Sequence, residues 1–190
     1  MTREKRFVIR NLILPRRSRR GQIWVETVIY TLIAFTLIGL VLAFVKPKIE
    51  EIQDRGLVEQ SIKVLEEIDS VVSNIGTSGN QRVIKLGISK GTLNIDGGND
   101  KVFFNIESRY AYSEPDENVN SGGIDIYTAE LGSAYNINLT LNYTTEYNIT
   151  FQNSDTIRQI GKASTPYRVS ISNEGTDGLG KTIINFDTIN

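Results

Sequence analysis

From Ile23 to Val45 the sequence reads IWVETVIYTLIAFTLIGLVLAFV, a run of 23 residues in which Glu26 is the one carboxylate and no basic side chain occurs. As an α-helix rising about 1.5 Å per residue the run measures about 34 Å, enough to cross a hydrocarbon core of roughly 30 Å. A secretory signal has an apolar region of only about 7–15 residues that ends at small residues for cleavage. This run is longer and has no A-x-A-like exit, so the segment is expected to stay with the protein. Whatever else the chain forms must hang from that helix.

Charge sets its direction. Arg3, Lys5, Arg6, Arg10, Arg16, Arg17, Arg19 and Arg20 stand before it against Glu4 alone, a net +7 over residues 1–21. Only Lys46 and Lys48 follow closely, beside Glu50 and Glu51. Lys and Arg flanking a spanning helix stay on the cytoplasmic side, so the N-terminus is expected inside and the body outside. That body keeps 13 basic and 21 acidic side chains, a net −8 that suits no nucleic-acid partner. The chain has 190 residues, room for one core of ordinary size and an appendage. It has no cysteine and no histidine, hence no disulfide, no thiolate metal site and none of the commonest general bases. With no nucleophile–base set in view, no enzyme, metal or cofactor is expected.

The junction Arg19-Arg20-Gly21-Gln22-Ile23-Trp24-Val25-Glu26 joins the basic cluster to the apolar run. Over residues 16–48 it resembles the class III signal peptides of archaeal type IV pilin-like proteins, a group that includes archaellins. The resemblance implies that a prepilin peptidase cuts between Gly21 and Gln22 on the cytoplasmic side, removing the leader and retaining the helix. Gln22 then becomes the mature N-terminus and Glu26 the fifth mature residue. It implies further that Glu26 of an incoming subunit pairs with the N-terminal amine of a neighbour and sets filament register. The implied partners are copies of the chain or other pilins, a membrane platform protein and an assembly ATPase. From the residues alone two plainer readings remain: a single-pass anchor with a basic tail, and a Glu26 that favours the helix N-terminal dipole by about 0.3–1 kcal/mol. A carboxylate on an apolar helix costs a few kcal/mol at mid-membrane, so Glu26 calls for a partner either way.

Past Val45, Pro47 predicts a kink in a helix that nonetheless continues. Ile49, Ile52, Val58, Ile62, Leu65, Ile68, Val72 and Ile75 recur mainly at three- and four-residue steps, with Glu50, Glu51, Asp54, Glu59, Glu66 and Glu67 expected on other faces. This half is expected to bury its stripe on a head or on neighbouring helices, with Gly56 as a weak point.

Beyond Gly76 short β-branched and aromatic runs alternate with Gly, Asn and Asp, which predicts strands over 82–88, 92–95, 101–109, 123–130, 134–143, 147–152, 166–172 and 181–186. Asp96-Gly97-Gly98-Asn99 signals a turn, read as glycine supplying positive φ. In Tyr135–Tyr143 apolar and polar residues alternate strictly. The expected fold is α+β: a long hydrophobic N-terminal helix, then an antiparallel all-β sandwich head, immunoglobulin-like or related. Its parts are a leader at 1–21, a helix at 22–76 whose apolar portion is 22–46 and amphipathic portion 47–76, and an extracellular head at 77–190.

Asn138, Asn142 and Asn148 each begin an Asn-x-Thr sequon, so they are candidate N-glycosylation acceptors, although Asn and Thr also serve as plain polar strand residues. Gly175–Thr182 fits the GxxxxGK[ST] phosphate-loop pattern, but the β-branched run after it is no helix and Asp177 would repel phosphate. A hairpin turn is expected there instead. Asp96, Asn99 and Asp100, and the acidic loop 113–123, offer oxygens without EF-hand spacing. The expectation is a structural filament subunit, made as a single-pass membrane precursor. The alternative is an uncleaved, membrane-anchored extracellular binding or sensor protein.

Overall fold

The computed structural model describes residues 19–189, with side chains from residue 23 onward. Residues 1–18 of the expected leader lie outside the described residues, as do the side chains of Arg19, Arg20, Gly21 and Gln22. The chain divides into two units, Met1–Val45 and Lys46–Asn190. One helix, α1 (Arg19–Ser73), contributes to both and passes through Pro47 without ending. Proline removes a single backbone bond, and the apolar and stripe residues on either side supply enough helix formers to carry the helix past it.

In the first unit every described side chain from Ile23 to Val45 is exposed. The helix there is long and apolar enough to cross a membrane.

The second unit is a β-rich head that also takes the rest of α1. Its strands are β1 (Gln81–Leu86), β2 (Thr92–Asp96), β3 (Lys101–Ser108), β4 (Asn118–Ser121) and β5 (Ile124–Leu131). They continue with β6 (Ala134–Asn142), β7 (Tyr147–Phe151), β8 (Arg158–Gly161), β9 (Tyr167–Thr176) and β10 (Thr182–Ile189). They form a four-stranded sheet, β1-β9-β10-β7, and a six-stranded sheet, β4-β5-β6-β3-β2-β8. The α+β architecture is the expected one. All pairs are antiparallel except β7 with β10, which run parallel. The chain leaves the four-stranded sheet after β7 to form β8 in the other, so β10 meets β7 from a hairpin with β9 and not by direct return.

Each sheet buries one face. In β6, Ile137, Leu139 and Leu141 are buried, and they sit opposite Ile106, Phe104 and Val102 of β3 and beside Ile126 and Ile124 of β5. The four-stranded sheet contributes Ile84, Leu86, Val169, Ile171, Ile184 and Phe186. Val58, Leu65, Ile68 and Val72 of α1 and then Ile75 join the same apolar core.

Two expectations about the lower helix are corrected. Ile49 and Ile52, read as part of the buried stripe, are 49% and 71% exposed. Asp54, placed among the solvated acids, is buried instead. The true stripe is Asp54, Val58, Ser61, Leu65, Ile68, Val72 and Ile75, alternating steps of four and three, and it begins with a carboxylate. Burial of that charge is compensated: Asp54 Oδ1 accepts from Lys90 Nζ at 2.5 Å and Oδ2 from the Arg109 backbone N–H at 2.7 Å.

Two strands were not anticipated. β4 has no buried residue and β8 has only Ile160, so neither carries the alternation by which a strand is read from sequence. Both are edge strands held by their neighbours' backbones. The Asp96–Asn99 turn does connect β2 to β3, but neither Gly97 nor Gly98 has positive φ; Asp100 does, at 50°. Gly97 is required by crowding, since a Cβ there would lie 2.7 Å from Asp155 Cα and 2.8 Å from the Ile149 carbonyl oxygen.

Candidate functional site

The strongest site signal in the sequence falls on the first turns of α1. The scissile bond implied by the resemblance, Gly21–Gln22, lies within the span of α1. Four residues on, the Glu26 side chain is exposed and its Oε1 accepts from the Tyr30 hydroxyl at 3.2 Å, one turn along the same helix. Among the described residues no basic side chain pairs with it.

The hydroxyls of this segment are self-contained. Thr27, Thr31 and Thr36 donate to the carbonyls of Ile23, Thr27 and Leu32 at 2.9, 2.8 and 2.8 Å. Such back-bonding leaves no threonine donor seeking a partner in an apolar medium, where an unmet polar group costs several kcal/mol. Glu26 is the exception on this surface, because a carboxylate has more acceptor capacity than one phenol can fill.

The three sequons differ. Asn142 is exposed, and its Oδ1 accepts from the Thr144 backbone N–H at 3.2 Å and from the Thr144 hydroxyl. Asn138 is half-buried and committed across strands: its Nδ2 donates to Asn105 Oδ1 at 3.0 Å and its Oδ1 accepts from Thr140. Asn148, also half-buried, donates to Asp177 Oδ2 at 3.2 Å. Only the Asn142 amide nitrogen is without a protein acceptor among the described residues.

The phosphate-loop pattern is a hairpin between β9 and β10, as expected from sequence. Asp177 Oδ1 accepts from the Leu179 and Lys181 N–H groups at 2.8 and 2.9 Å, so a carboxylate already holds the amides that a phosphate would need. The acidic turn is likewise occupied from within. Asp96 accepts from the Asn99 side chain at 2.8 Å, while Asp100 accepts from the Ile149 N–H at 2.9 Å and pairs with Lys181 at 3.2 Å. Among the described residues no group of three or more His, Cys, Asp or Glu side chains converges as metal ligands would.

A polar cleft of about 530 Å³ opens beside the lower helix, lined among others by Glu50, Asp54, Lys90, Arg109 and Lys162. The Asp54–Lys90 contact and a Glu50–Arg109 pair at 2.8 Å lie in its wall, so its charges mostly satisfy one another. Sequence reasoning missed Asp54 and Lys90 as a unit. The available signal was Asp54 falling four residues before Val58, in step with the stripe. Comparison with family models, curated proteins and solved structures finds no match.

Proposed function

We propose that the chain is a structural subunit of an archaeal type IV pilus-like surface filament, made as a membrane-spanning precursor, cut between Gly21 and Gln22 and assembled through residues 22–46 of its helix. The observation that carries this reading is the apolar half of α1: among the described residues every side chain from Ile23 to Val45 is exposed, yet the helix continues into a half that is built into a β-head. An uncovered apolar helix of this length is stored in lipid and used among like helices. Association there gains little from dehydration, because lipid is already apolar, so packing and polar pairing decide it. Glu26, with acceptor capacity unspent, is the polar group suited to that pairing, and the amine that cleavage would create on Gln22 is its complement.

On this reading the prepilin peptidase, a platform protein and an assembly ATPase are the chain's partners, and neither catalysis nor a cofactor belongs to it. The head faces outward from the cytoplasmic membrane in the precursor and lies on the surface of the extracellular filament afterwards. Asn142 is the sequon best placed to carry a glycan.

The test is the mature N-terminus. Mass spectrometry of the chain from cells that contain the peptidase is expected to find Gln22 first. A persistent residue 1–21 segment would instead assign the chain to the uncleaved, membrane-anchored binding or sensor class. Glu26→Ala is expected to be cleaved normally and to be missing from filaments under the electron microscope; filaments of normal abundance would remove Glu26 from assembly.

A further inference from the structure

The outward face of the six-stranded sheet carries an aromatic ring where the strand pattern calls for a polar side chain. In β3, Val102, Phe104 and Ile106 turn into the core and Lys101, Phe103, Asn105 and Glu107 turn out. Phe103 is half-buried and does not join the apolar core. Its cross-strand neighbours are Asn94 of β2 and Thr140 of β6, both polar. A ring here gains nothing from the interior. It forms part of a depression of about 330 Å³ whose other walls are Asp96, Asn99, Lys101, Asn138 and Thr140. That volume is at the small end of the roughly 300–1,000 Å³ typical of small-molecule sites.

The polar wall is fixed before any ligand arrives. Asp96 is held by the Asn99 side chain at 2.8 Å, and Asn138 is held by Asn105 at 3.0 Å and by Thr140 at 2.5 Å. Each of these groups keeps hydrogen-bonding capacity beyond those bonds: second lone pairs on the Asp96 oxygens and on Asn138 Oδ1, and a second N–H on Asn138. Lys101 adds an ammonium with no ion pair among the described residues. Lys101 and Asp96 cancel in charge, so the site has no net attraction for an anion or a cation. Fixed donors and acceptors around one ring face suit a neutral ligand with many hydroxyls and an apolar C–H face.

We propose that the depression over Phe103 is a binding subsite for one neutral pyranose ring of an external glycan, with the ring stacked on Phe103 and its hydroxyls bonded to Asp96, Lys101, Asn138 and Thr140. Burial of an aromatic face together with pre-organised polar groups is what gives such a ligand affinity. The proposal is independent of whether the chain is a filament subunit or a membrane anchor, because it concerns the head alone.

The experiment is saturation-transfer NMR on the full chain, made in a bacterial host without N-glycosylation and held in an amine-oxide detergent that contains no sugar. The probes are the methyl glycosides of glucose, galactose, mannose and N-acetylglucosamine. At least one is expected to receive saturation from the wild-type chain. Phe103→Ala is expected to weaken it about tenfold, the size of one lost ring contact, with Phe103→Tyr and Glu67→Ala, an exposed position on α1, unchanged. Lys101→Ala reads the same site should Phe103→Ala fail to fold. Absence of transfer from all four glycosides, or equal transfer in the wild type and in both pocket variants, overturns the proposal. A second arm uses chain from a glycosylating host. If it binds no probe until Asn142→Gln is introduced, the pocket belongs to the chain's own glycan, and the external assignment is overturned.

Discussion

The two halves of α1 share one helical backbone and stand in opposite relations to the rest of the chain. From Ile23 to Val45 hydrophobicity is continuous around the helix and every described side chain is exposed; from Val58 to Ile75 it is confined to a stripe that lies in the core of the head. Hydrophobic content measures how much surface must leave water, while its period says whether a partner inside the same chain will take it. Each half also ties a tyrosine hydroxyl to a carboxylate. Tyr30 donates to Glu26 within one helix, whereas Tyr143 at the end of β6 donates to Asp69 of α1, joining two elements. The first pair stays within one exposed stretch of helix. The second fastens the fold.

The largest effect should come from the stripe itself. Leu65 is fully buried, so Leu65→Ala is expected to cost the head about 3 kcal/mol, between the usual limits for emptying a core site. Urea unfolding of the full chain in detergent, followed by the β-sheet signal in circular dichroism, measures it. The same truncation at Leu37, which is exposed, is expected to shift that transition by under about 0.5 kcal/mol. Equal losses at Leu65 and Leu37 would break the distinction between the halves.

Asp54 comes next, because it is the charged member of the stripe. Asp54→Ala strands the Lys90 ammonium and the Arg109 N–H together, an expected loss of about 2 kcal/mol given that Lys90 retains partial access to water. Glu51→Ala, which breaks only an exposed pair with Lys48, is expected to cost under about 0.5 kcal/mol. Were the two variants equally stable, Asp54 would be an ordinary solvated acid and the stripe would start at Val58.

The fold was legible where burial is one-sided and repeated. The β6 alternation of Ile137, Leu139 and Leu141 against Asn136, Asn138 and Thr140 is what a sheet with one covered face must show, and the stripe from Val58 to Ile75 is its helical counterpart. Edge strands β4 and β8 were illegible because backbone pairing, which leaves no mark on side-chain pattern, holds them. The parallel β7–β10 pair was hidden because pairing across a long connection depends on where the other strands go. Ile49 and Ile52 misled because they are in phase with nothing the head covers, and Asp54 because a buried carboxylate reads as polar until Lys90 and the Arg109 amide are brought beside it. Of the candidate site, Glu26 and the three sequons could be named from sequence. Their inequality could not, since it rests on cross-strand partners such as Asn105 and Asp177.

The smallest effect separates the two tyrosine–carboxylate pairs and has a pH signature. Tyr143 is buried, and burial together with the Asp69 charge and hydrogen bond pushes its phenol far above the ordinary value of 10.0. An unfolded chain ionises that phenol near the ordinary value, and the folded chain does not. The stability it contributes is therefore complete below about pH 10 and falls by about 1.4 kcal/mol per unit as pH rises past that point. Tyr143→Phe removes the 3.0 Å bond to Asp69, for an expected loss of about 1 kcal/mol near pH 8. Phenylalanine cannot ionise in the unfolded chain, so the deficit should shrink above about pH 10 and vanish within roughly one further unit. Tyr30→Phe should leave the unfolding curve of the head unchanged at both pH values, because that hydroxyl bonds only within the apolar half of α1. A Tyr143→Phe deficit that stays constant through alkaline pH would mean that the phenol ionises alike in the folded and unfolded chains, and the buried tie between β6 and α1 would then be open to water.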